Sequence, residues 1–253
     1  MILPKKKRPA IRIDPKRLLL FGPPKIGKTT IVSALEDSLI VDMEEGSDYV
    51  EAAVAKIKNL AEFGELIKAL KDDKEANNGR KPYKYITLDT LSALEDLACQ
   101  LAVKDYKKSP MGANYTGTDV RTLPNGAGYA WTRPAFERML KSLEPFCETL
   151  IMIGHIKEKD FTKNGETLTE KSINLTGKTK DSICAWADSI GLVYRDENRT
   201  MIDFMPSESL LVGSRQVHLR GEKVCIATSD EKNDITIDWT AVFVEGPRSE
   251  VTD

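Results

Sequence analysis

The chain has 253 residues, of which 41% are hydrophobic and 30% charged, a composition that suits one α/β domain with an extension or two small domains. Its formal net charge of −2 excludes a global basic field that would recruit nucleic acid or a membrane surface, so any such contact must be local. No apolar run approaches the ~20 residues that a bilayer span needs, and the first residues lack the apolar stretch of a secretory signal. We therefore expect a soluble, cytoplasmic protein without a membrane partner.

The chain opens with a basic segment and continues as an alternation of two patterns. Residues 1–15 are basic and punctuated by prolines, which predicts an arm whose run PKKKRP suits a targeting signal or phosphate contacts. From there on, apolar runs typical of buried strands alternate with amphipathic stretches typical of helices. The predicted strands are RLLLFG (17–22), SLIVDM (38–43), AAVAKIK (52–58), YKYITLDT (83–90), TLIMIGH (149–155) and two within 190–205; the predicted helices run from about 27 to about 37 and over 60–73, 91–108, 133–146 and 177–189.

Local signals predict where several elements begin and end. Asn59 with Glu62 forms a capping-box pattern before the second helix, and Thr132 is a predicted cap for the fourth. Residues 108–131 are rich in Gly, Asn, Thr and Pro, which predicts a long loop. Asn164-Gly165 lies between alternating residues, a signal for a β-hairpin.

The order of these elements predicts the fold class. Strands that alternate with helices are typical of an α/β fold with a mostly parallel central sheet flanked by helices on both faces. We assign residues 16–205 to this core. Residues 206–253 are less regular, and we expect a C-terminal extension that packs on the core and ends in disordered residues.

A phosphate-binding loop follows the first predicted strand. Gly22, Gly27, Lys28 and Thr29 match the pattern G-x-x-x-x-G-K-[ST]. Glycines let the backbone wrap a phosphate, whose charge then faces backbone N–H groups and the N-terminus of the next helix. In this pattern the lysine reaches the β- and γ-phosphates of ATP, and the threonine hydroxyl binds Mg²⁺. The predicted nucleotide-binding residues are Gly22, Pro23, Pro24, Lys25, Ile26, Gly27, Lys28, Thr29 and Thr30.

Two carboxylates are expected beside this loop. Asp89 ends the apolar strand YITLD, a Walker-B-type position from which it would hold Mg²⁺ through water. AAA+-type ATPases usually place a water-orienting Glu directly after that Asp, whereas this chain has Thr90. The stretch LIVDMEEG offers Asp42, Glu44 and Glu45 at the end of another strand, and parallel strands bring their carboxyl ends to one edge of the sheet. We predict Glu44 as the catalytic residue.

The motifs together resemble a known group of proteins. GPPKIGKTT, IVDMEEG, YITLDT and LIMIGH are similar to the RecA-like P-loop ATPases, and more narrowly to phage proteins related to the Sak class of single-strand annealing recombinases. The late stretches GSRQVHL and DWTAVF are also similar to that group. The resemblance implies a RecA-like fold, Glu44 as the catalytic glutamate and His155 as a polar sensor of the γ-phosphate, with Lys28 of the phosphate loop as the third catalytic residue. The alternative for His155 is a histidine that ends its strand with its hydrogen bonds satisfied.

The resemblance also implies partners. RecA-like ATPases bind DNA through two loops after the Walker B region, which correspond here to residues 108–131 and 156–176. These segments carry the cations and aromatic rings that sequence-tolerant single-strand binding requires. By the same resemblance we expect a homo-oligomer, ring or filament, and a single-strand-binding protein as a further partner. The DNA-binding candidates are Arg121, Tyr129, Lys157, Lys159, Phe161 and Lys163, and the cations offered to a neighbouring subunit's nucleotide are Lys178 and Lys180.

Two other functions remain compatible with the motifs. One is a nucleotide-gated assembly or binding protein with negligible turnover. The other is a P-loop kinase, for which residues 108–131 would form the lid. The chain lacks the N-K-x-D guanine motif, which counts against a GTPase. The sequence thus favours a Mg²⁺-dependent ATPase that couples ATP to single-stranded DNA.

Overall fold

A computed structural model describes residues 12–163 and 166–244, without the side chains of the two residues that flank the gap. Most of the predicted basic arm, the Asn164-Gly165 turn and the last residues of the extension therefore lie outside the described residues. The helices are α1 (Lys28–Ser33), α2 (Leu60–Ala76), α3 (Leu91–Lys108), α4 (Tyr129–Leu143) and α5 (Gly177–Trp186). The strands are β1 (Arg17–Gly22), β2 (Ser38–Asp42), β3 (Val54–Lys56), β4 (Tyr83–Asp89), β5 (Cys147–Lys163), β6 (Glu166–Ile173), β7 (Ser189–Asp196), β8 (Arg199–Asp203), β9 (Gly213–Ser214), β10 (Lys223–Ser229) and β11 (Ile235–Ile237).

One sheet organises the molecule. Its main path runs in the order β11-β10-β8-β7-β1-β5-β4-β2-β3, with β6 paired to β5 and β9 paired to β7. The strands from β7 through β1, β5, β4 and β2 to β3 are parallel, and the remaining pairs are antiparallel. The carboxyl ends of β1, β2, β4 and the parallel part of β5 therefore share one edge, which is where ligands bind in open α/β sheets.

The sheet is covered on both faces, as the sequence predicts, but unequally. Leu19 and Phe21 of β1 face a core built with α2, α3, α4 and α5, whereas Leu18 and Leu20 face a second core. Among the described residues, the short α1 and parts of the chain after residue 204 supply most of the cover on that second face. There the indole Nε1 of Trp239 donates a hydrogen bond to the carbonyl of Ile31 at 2.7 Å. The C-terminal segment thus replaces helices that the second face lacks.

Three sequence predictions of local structure differ from what is observed. α1 ends at Ser33 rather than near Asp37, because the Asp37 carbonyl accepts hydrogen bonds from β4 and fixes the start of β2. The cap predicted at Thr132 is wrong: α4 begins at Tyr129, and the buried Thr132 hydroxyl donates to the Gly128 carbonyl. The loop predicted over 108–131 is present but shorter, because α4 already begins at Tyr129, and it folds into three short 3₁₀ turns around the fully buried Val120.

Other local predictions are confirmed. The Asn59 side chain caps α2 by accepting hydrogen bonds from the backbone N–H groups of Ala61 and Glu62. β5 and β6 form the predicted hairpin, with Lys163 opposite Glu166 in the register. None of the helices in the part of the chain that the structure describes has the length and apolar character needed to cross a bilayer.

Candidate nucleotide site

The phosphate loop connects β1 to α1 with a backbone that requires glycine at two points. A Cβ on Gly22 would lie 2.4 Å from the carbonyl oxygen of Val193, so the neighbouring strand excludes any side chain there. Gly27 has a φ of 98°, in the left-handed region where residues with a Cβ are strained. α1 then begins at Lys28, which places Lys28 and Thr29 in its first turn.

Lys28 is buried within its own loop. Its Nζ donates hydrogen bonds to the carbonyls of Gly22 at 3.1 Å and Pro23 at 2.7 Å, and only 7% of the residue is exposed. Burial lowers the pKa of Lys28, while the nearby carboxylates of Asp89 and Glu44 oppose that shift. The amine therefore lies beside two carboxylates and faces the cavity of the phosphate loop.

Asp89 and Thr29 meet across the site. The Thr29 hydroxyl donates to Asp89 Oδ2 at 2.6 Å, and Asp89 is 5% exposed. Burial raises the pKa of Asp89, and the carboxylates of Glu44 and Asp42 raise it further, whereas the Thr29 hydrogen bond and Lys28 lower it. These two oxygen groups are the kind of ligands that Mg²⁺ prefers, and the concentration of negative charge favours a divalent cation at this point.

Asp89→Asn should stabilise the nucleotide-free protein at neutral pH. Because the folded-state pKa of Asp89 lies above its unfolded value, its ionised form lowers stability, and that cost vanishes as the pH falls through the folded pKa. The neutral amide removes the cost but binds Mg²⁺ poorly. Thermal unfolding should therefore give a higher midpoint without ligand and a smaller gain with Mg²⁺ and nucleotide, whereas the exposed control Asp72→Asn changes neither. A lower ligand-free midpoint for Asp89→Asn would contradict this interpretation.

A turn held by Asp42 carries Glu44. Asp42 ends β2 directly beside Asp89 of β4 in the sheet register and is 2% exposed. Its carboxylate accepts hydrogen bonds from the backbone N–H groups of Glu44 at 2.9 Å and Ser47 at 3.0 Å, and from the Ser47 hydroxyl. Burial raises the pKa of Asp42, but these hydrogen bonds outweigh it and leave the pKa below its usual value. Asp42 is therefore ionised near neutral pH, and it fixes the turn.

Glu44 is held from two sides. The Thr90 hydroxyl donates to Glu44 Oε1 at 2.5 Å, and His155 Nε2 lies 3.1 Å from Glu44 Oε2. A carboxylate only accepts, so His155 donates through Nε2–H, and its buried Nδ1 has no hydrogen-bond partner among the described residues. Glu45 instead points away and pairs with Lys58 at 2.7 Å. The structure therefore places Glu44, and not Glu45, next to Thr90 and His155.

Most of the residues predicted to bind the nucleotide line one cavity of 350 Å³. Of the remaining predicted residues, Gly22 and Pro23 contact Lys28 through their carbonyls, and Ile26 packs against the second core. The sequence motifs do not predict that Gly46 lines this cavity, and they give Thr90 no role. The cavity is lined by Pro24, Lys25, Gly27, Lys28, Thr29, Thr30, Glu44, Gly46, Asp89, Thr90 and His155.

The residues present fit ATP with Mg²⁺. Gly27 leaves an open space, because no atom lies within 4 Å of the position its Cβ would take. The loop supplies one buried cation, and the helix N-terminus supplies N–H donors, which suit a polyphosphate. Thr29 and Asp89 supply oxygen ligands for the metal.

The hairpin places three DNA-binding candidates on one face. Lys157, Lys159 and Phe161 are two residues apart along β5, so their side chains point the same way. Both lysines are exposed and the ring is half-buried. The opposite face carries the ion pair between Glu158 and Lys171. The side chain of Lys163 lies outside the described residues.

The other candidates lie elsewhere on the molecule. Arg121 is engaged within the chain by Asp119 and Asp96, and its guanidinium lowers the pKa of Asp119 to about 2. Lys180 lies 3.5 Å from Glu170 of the hairpin. Tyr129 and Lys178 line a second cavity of 610 Å³ between the starts of α4 and α5, together with Arg133, which sequence analysis missed.

One of three comparisons with known proteins covers this site. The family described as AAA domain matches residues 14–216, whereas a search of curated proteins found no match. Among solved structures, the chain is similar to a prototypical ATPase from the type III secretion system of pathogenic bacteria, at 11% identity and a TM-score of 0.43. That alignment covers 72% of this chain and 53% of the other, so the chain spans about half the length of that structure. The family match covers most of the chain and includes every residue of the nucleotide site, and the protein therefore belongs to the AAA domain family of P-loop ATPases.

Proposed function

We propose that the protein is a Mg²⁺-dependent ATPase that couples ATP hydrolysis to single-stranded DNA binding in annealing or recombination, as in the Sak-type phage group that its motifs resemble. The observation that carries the proposal is the position of His155. It touches Glu44 inside the nucleotide cavity and is the last residue of β5 paired with the parallel sheet. The next residue begins the hairpin that bears Lys157, Lys159 and Phe161.

The site has the groups that hydrolysis of a phosphoanhydride requires. Glu44 would accept a proton from the attacking water, since a carboxylate that lines the nucleotide cavity can act as a general base. Lys28 and the N–H groups at the start of α1 would bind the phosphates whose charge changes during the reaction. Thr29 and Asp89 would hold Mg²⁺, which neutralises phosphate charge when bound.

A continuous strand links the nucleotide to the hairpin. β5 runs unbroken from Cys147 to Lys163, and its first half lies between β1 and β4 in the core. A change at His155 in response to the γ-phosphate would be transmitted directly to Lys157, two residues along the same strand. We therefore expect DNA binding to be stronger with a non-hydrolysable ATP analogue than without nucleotide.

The cavity between the starts of α4 and α5 supports a DNA-binding surface that extends beyond the hairpin. Arg133 and Lys178 supply charge and Tyr129 supplies an aromatic ring, a combination that suits phosphates and bases of a single strand. Lys178 is also the better candidate to reach a neighbouring subunit's nucleotide, because Lys180 is near Glu170 of its own chain. A homo-oligomer and a single-strand-binding protein are further parts of this proposal, as is a location in the cytoplasm.

One observation favours a second function, that of a nucleotide-gated assembly protein with negligible turnover. Each carboxylate oxygen of Glu44 already accepts one hydrogen bond, from Thr90 or from His155, which leaves fewer lone pairs to receive a proton from water. The kinase alternative has less support, because none of the residues that line the nucleotide cavity comes from 108–131. Release of inorganic phosphate, nucleotide-dependent assembly without release, and phosphate transfer to a small acceptor distinguish the three functions.

Replacing both Lys157 and Lys159 with alanine should weaken single-stranded DNA binding and flatten its salt dependence. Each lost phosphate contact removes roughly 0.7 from the slope of log K against log salt, so the double variant should lose about 1.4. The matched control is Lys171→Ala, which removes a cation from the opposite face of the same hairpin. Fluorescence anisotropy over a salt series measures both quantities, and an unchanged slope would show that this face does not bind DNA.

Phe161→Ala should give a different signature in the same titration. If a base stacks on the ring, the loss is on the order of 1–3 kcal/mol with little change in the salt slope. Absence of DNA binding by the parent protein at low salt, with and without nucleotide, would remove the DNA part of the proposal and leave the ATPase site.

A further inference from the structure

Thr90 contacts the carboxylate of Glu44 from the end of β4. It directly follows Asp89 at the end of β4 and is 2% exposed. Its hydroxyl donates to Glu44 Oε1 at 2.5 Å, within the range of an O–H group bonded to a carboxylate, a contact roughly twice as strong as a neutral hydrogen bond. AAA+-type ATPases usually carry their catalytic Glu at the position that Thr90 occupies here. In this protein Thr90 instead contacts Glu44, which follows the neighbouring strand β2.

The position of the hydroxyl is fixed by helix α3. Thr90 is the N-cap of that helix, and its oxygen accepts the backbone N–H of Ala93 at 3.4 Å. The cap uses a lone pair of the oxygen, whereas the contact with Glu44 uses the hydroxyl proton. The two roles therefore depend on different features of the side chain and can be separated by substitution.

The second partner of Glu44 is less constrained. His155 and Glu44 have 30% and 36% of their side chains exposed, whereas Thr90 is buried between β4 and α3. Thr90 also adjoins Asp89, which contacts Thr29. Its hydroxyl thus ties the carboxylate of Glu44 to the strand that carries the predicted metal ligand.

We infer that Thr90 is a positioning residue for hydrolysis: it orients the Glu44 carboxylate toward the phosphate loop by donating its hydroxyl proton. This inference rests on the proposed function, in which Glu44 is the general base. It predicts that loss of the hydroxyl lowers kcat while ATP binding is retained, because Thr90 acts through Glu44 and not on the nucleotide.

The test compares four variants in steady-state ATP hydrolysis: Thr90→Ser, Thr90→Val, Glu44→Gln and the double variant Thr90→Val/Glu44→Gln. Serine keeps the hydroxyl and should leave kcat within about threefold of the parent, since both hydrogen bonds persist. Valine has the same shape without a donor and should lower kcat by roughly 10–100-fold, with KM for ATP changed by less than about threefold. In the Glu44→Gln background the valine should have no further effect, because the group it positions is already gone.

A stability control separates positioning from capping. Asn59→Ala removes the N-cap of α2, on the exposed surface away from the site, and should lower the unfolding midpoint as Thr90→Val does while kcat stays at the parent value. If Thr90→Val does not fold, Thr90→Gly takes its place, because glycine is tolerated at an N-cap and has no side chain that could donate to Glu44.

The outcomes distinguish this inference from the proposed function. A Thr90→Val protein with parental kcat beside an inactive Glu44→Gln overturns the inference alone. A further loss from Thr90→Val in the Glu44→Gln background does the same, since it shows a role that is independent of Glu44. Full activity of Glu44→Gln, or no hydrolysis by the parent, overturns both.

Discussion

Lys28→Ala is expected to weaken Mg·ATP binding by roughly 10²–10³-fold, the size of effect seen when one member of a buried charge pair is removed. The amine is buried in the loop and held by two carbonyls, so its charge is pre-positioned at the place where the phosphates would lie. Alanine leaves the backbone of the loop and the N-terminus of α1 intact. Isothermal titration calorimetry with Mg·ATP measures the change directly.

The fold should survive this substitution. Burial lowers the pKa of Lys28, so ionisation of this amine adds nothing to the stability of the nucleotide-free fold, and the side chain belongs to neither apolar core. The control Lys68→Ala removes an exposed lysine from α2 and should bind ATP as the parent does. Equal ATP affinity of Lys28→Ala and the parent would show that this loop does not hold the phosphates.

Glu44→Gln is expected to retain ATP binding and to lose hydrolysis by roughly 10²–10⁴-fold, the usual contribution of a general base. The amide keeps the shape of the side chain, and its oxygen can still accept from Thr90 or from His155. It cannot accept the proton of the attacking water. Phosphate release at saturating ATP, together with a binding titration, separates the loss of chemistry from a loss of affinity.

The neighbouring residue supplies the control. Glu45→Gln differs by one position, but Glu45 lies outside the nucleotide cavity and pairs with Lys58. It should hydrolyse ATP at the parental rate. If Glu45→Gln is inactive and Glu44→Gln is active, the assignment of the catalytic residue is wrong by one position. If neither substitution matters, the nucleotide-gated assembly function gains support.

The sequence predicts the parts of the site that lie within continuous motifs. The phosphate loop from Gly22 to Thr30 is recognised from the sequence, because its glycines, lysine and threonine lie in one short stretch of the chain that a strand precedes and a helix follows. Asp89 and Glu44 follow from one further rule, that parallel strands end at a common edge. The register confirms the geometry behind that rule, since Asp42 pairs with Asp89.

What the sequence does not predict depends on contacts between distant segments. The hydrogen bond from Thr90 to Glu44 joins residues that follow two different strands, β4 and β2, and no spacing in the sequence predicts it. The cavity that contains Arg133 and Lys178 forms only because the starts of α4 and α5 meet. The sequence predicts that α4 begins at residue 133, whereas it begins at Tyr129, because the Gly, Asn and Pro residues near 124 are typical of a loop. Burial of Val120 instead stabilises a compact series of turns before the helix.

The most direct test of the account is the rate of ATP hydrolysis with and without single-stranded DNA, measured for the parent and for the Lys157→Ala/Lys159→Ala variant. We expect DNA to raise the parental kcat several-fold at low salt, and we expect the variant to hydrolyse ATP at the DNA-free rate in both conditions. The stimulation should fall as salt rises, because the contacts are made by exposed lysines. A parental rate that is the same with and without DNA, in a preparation that binds Mg·ATP, would contradict the coupling between the nucleotide site and the hairpin.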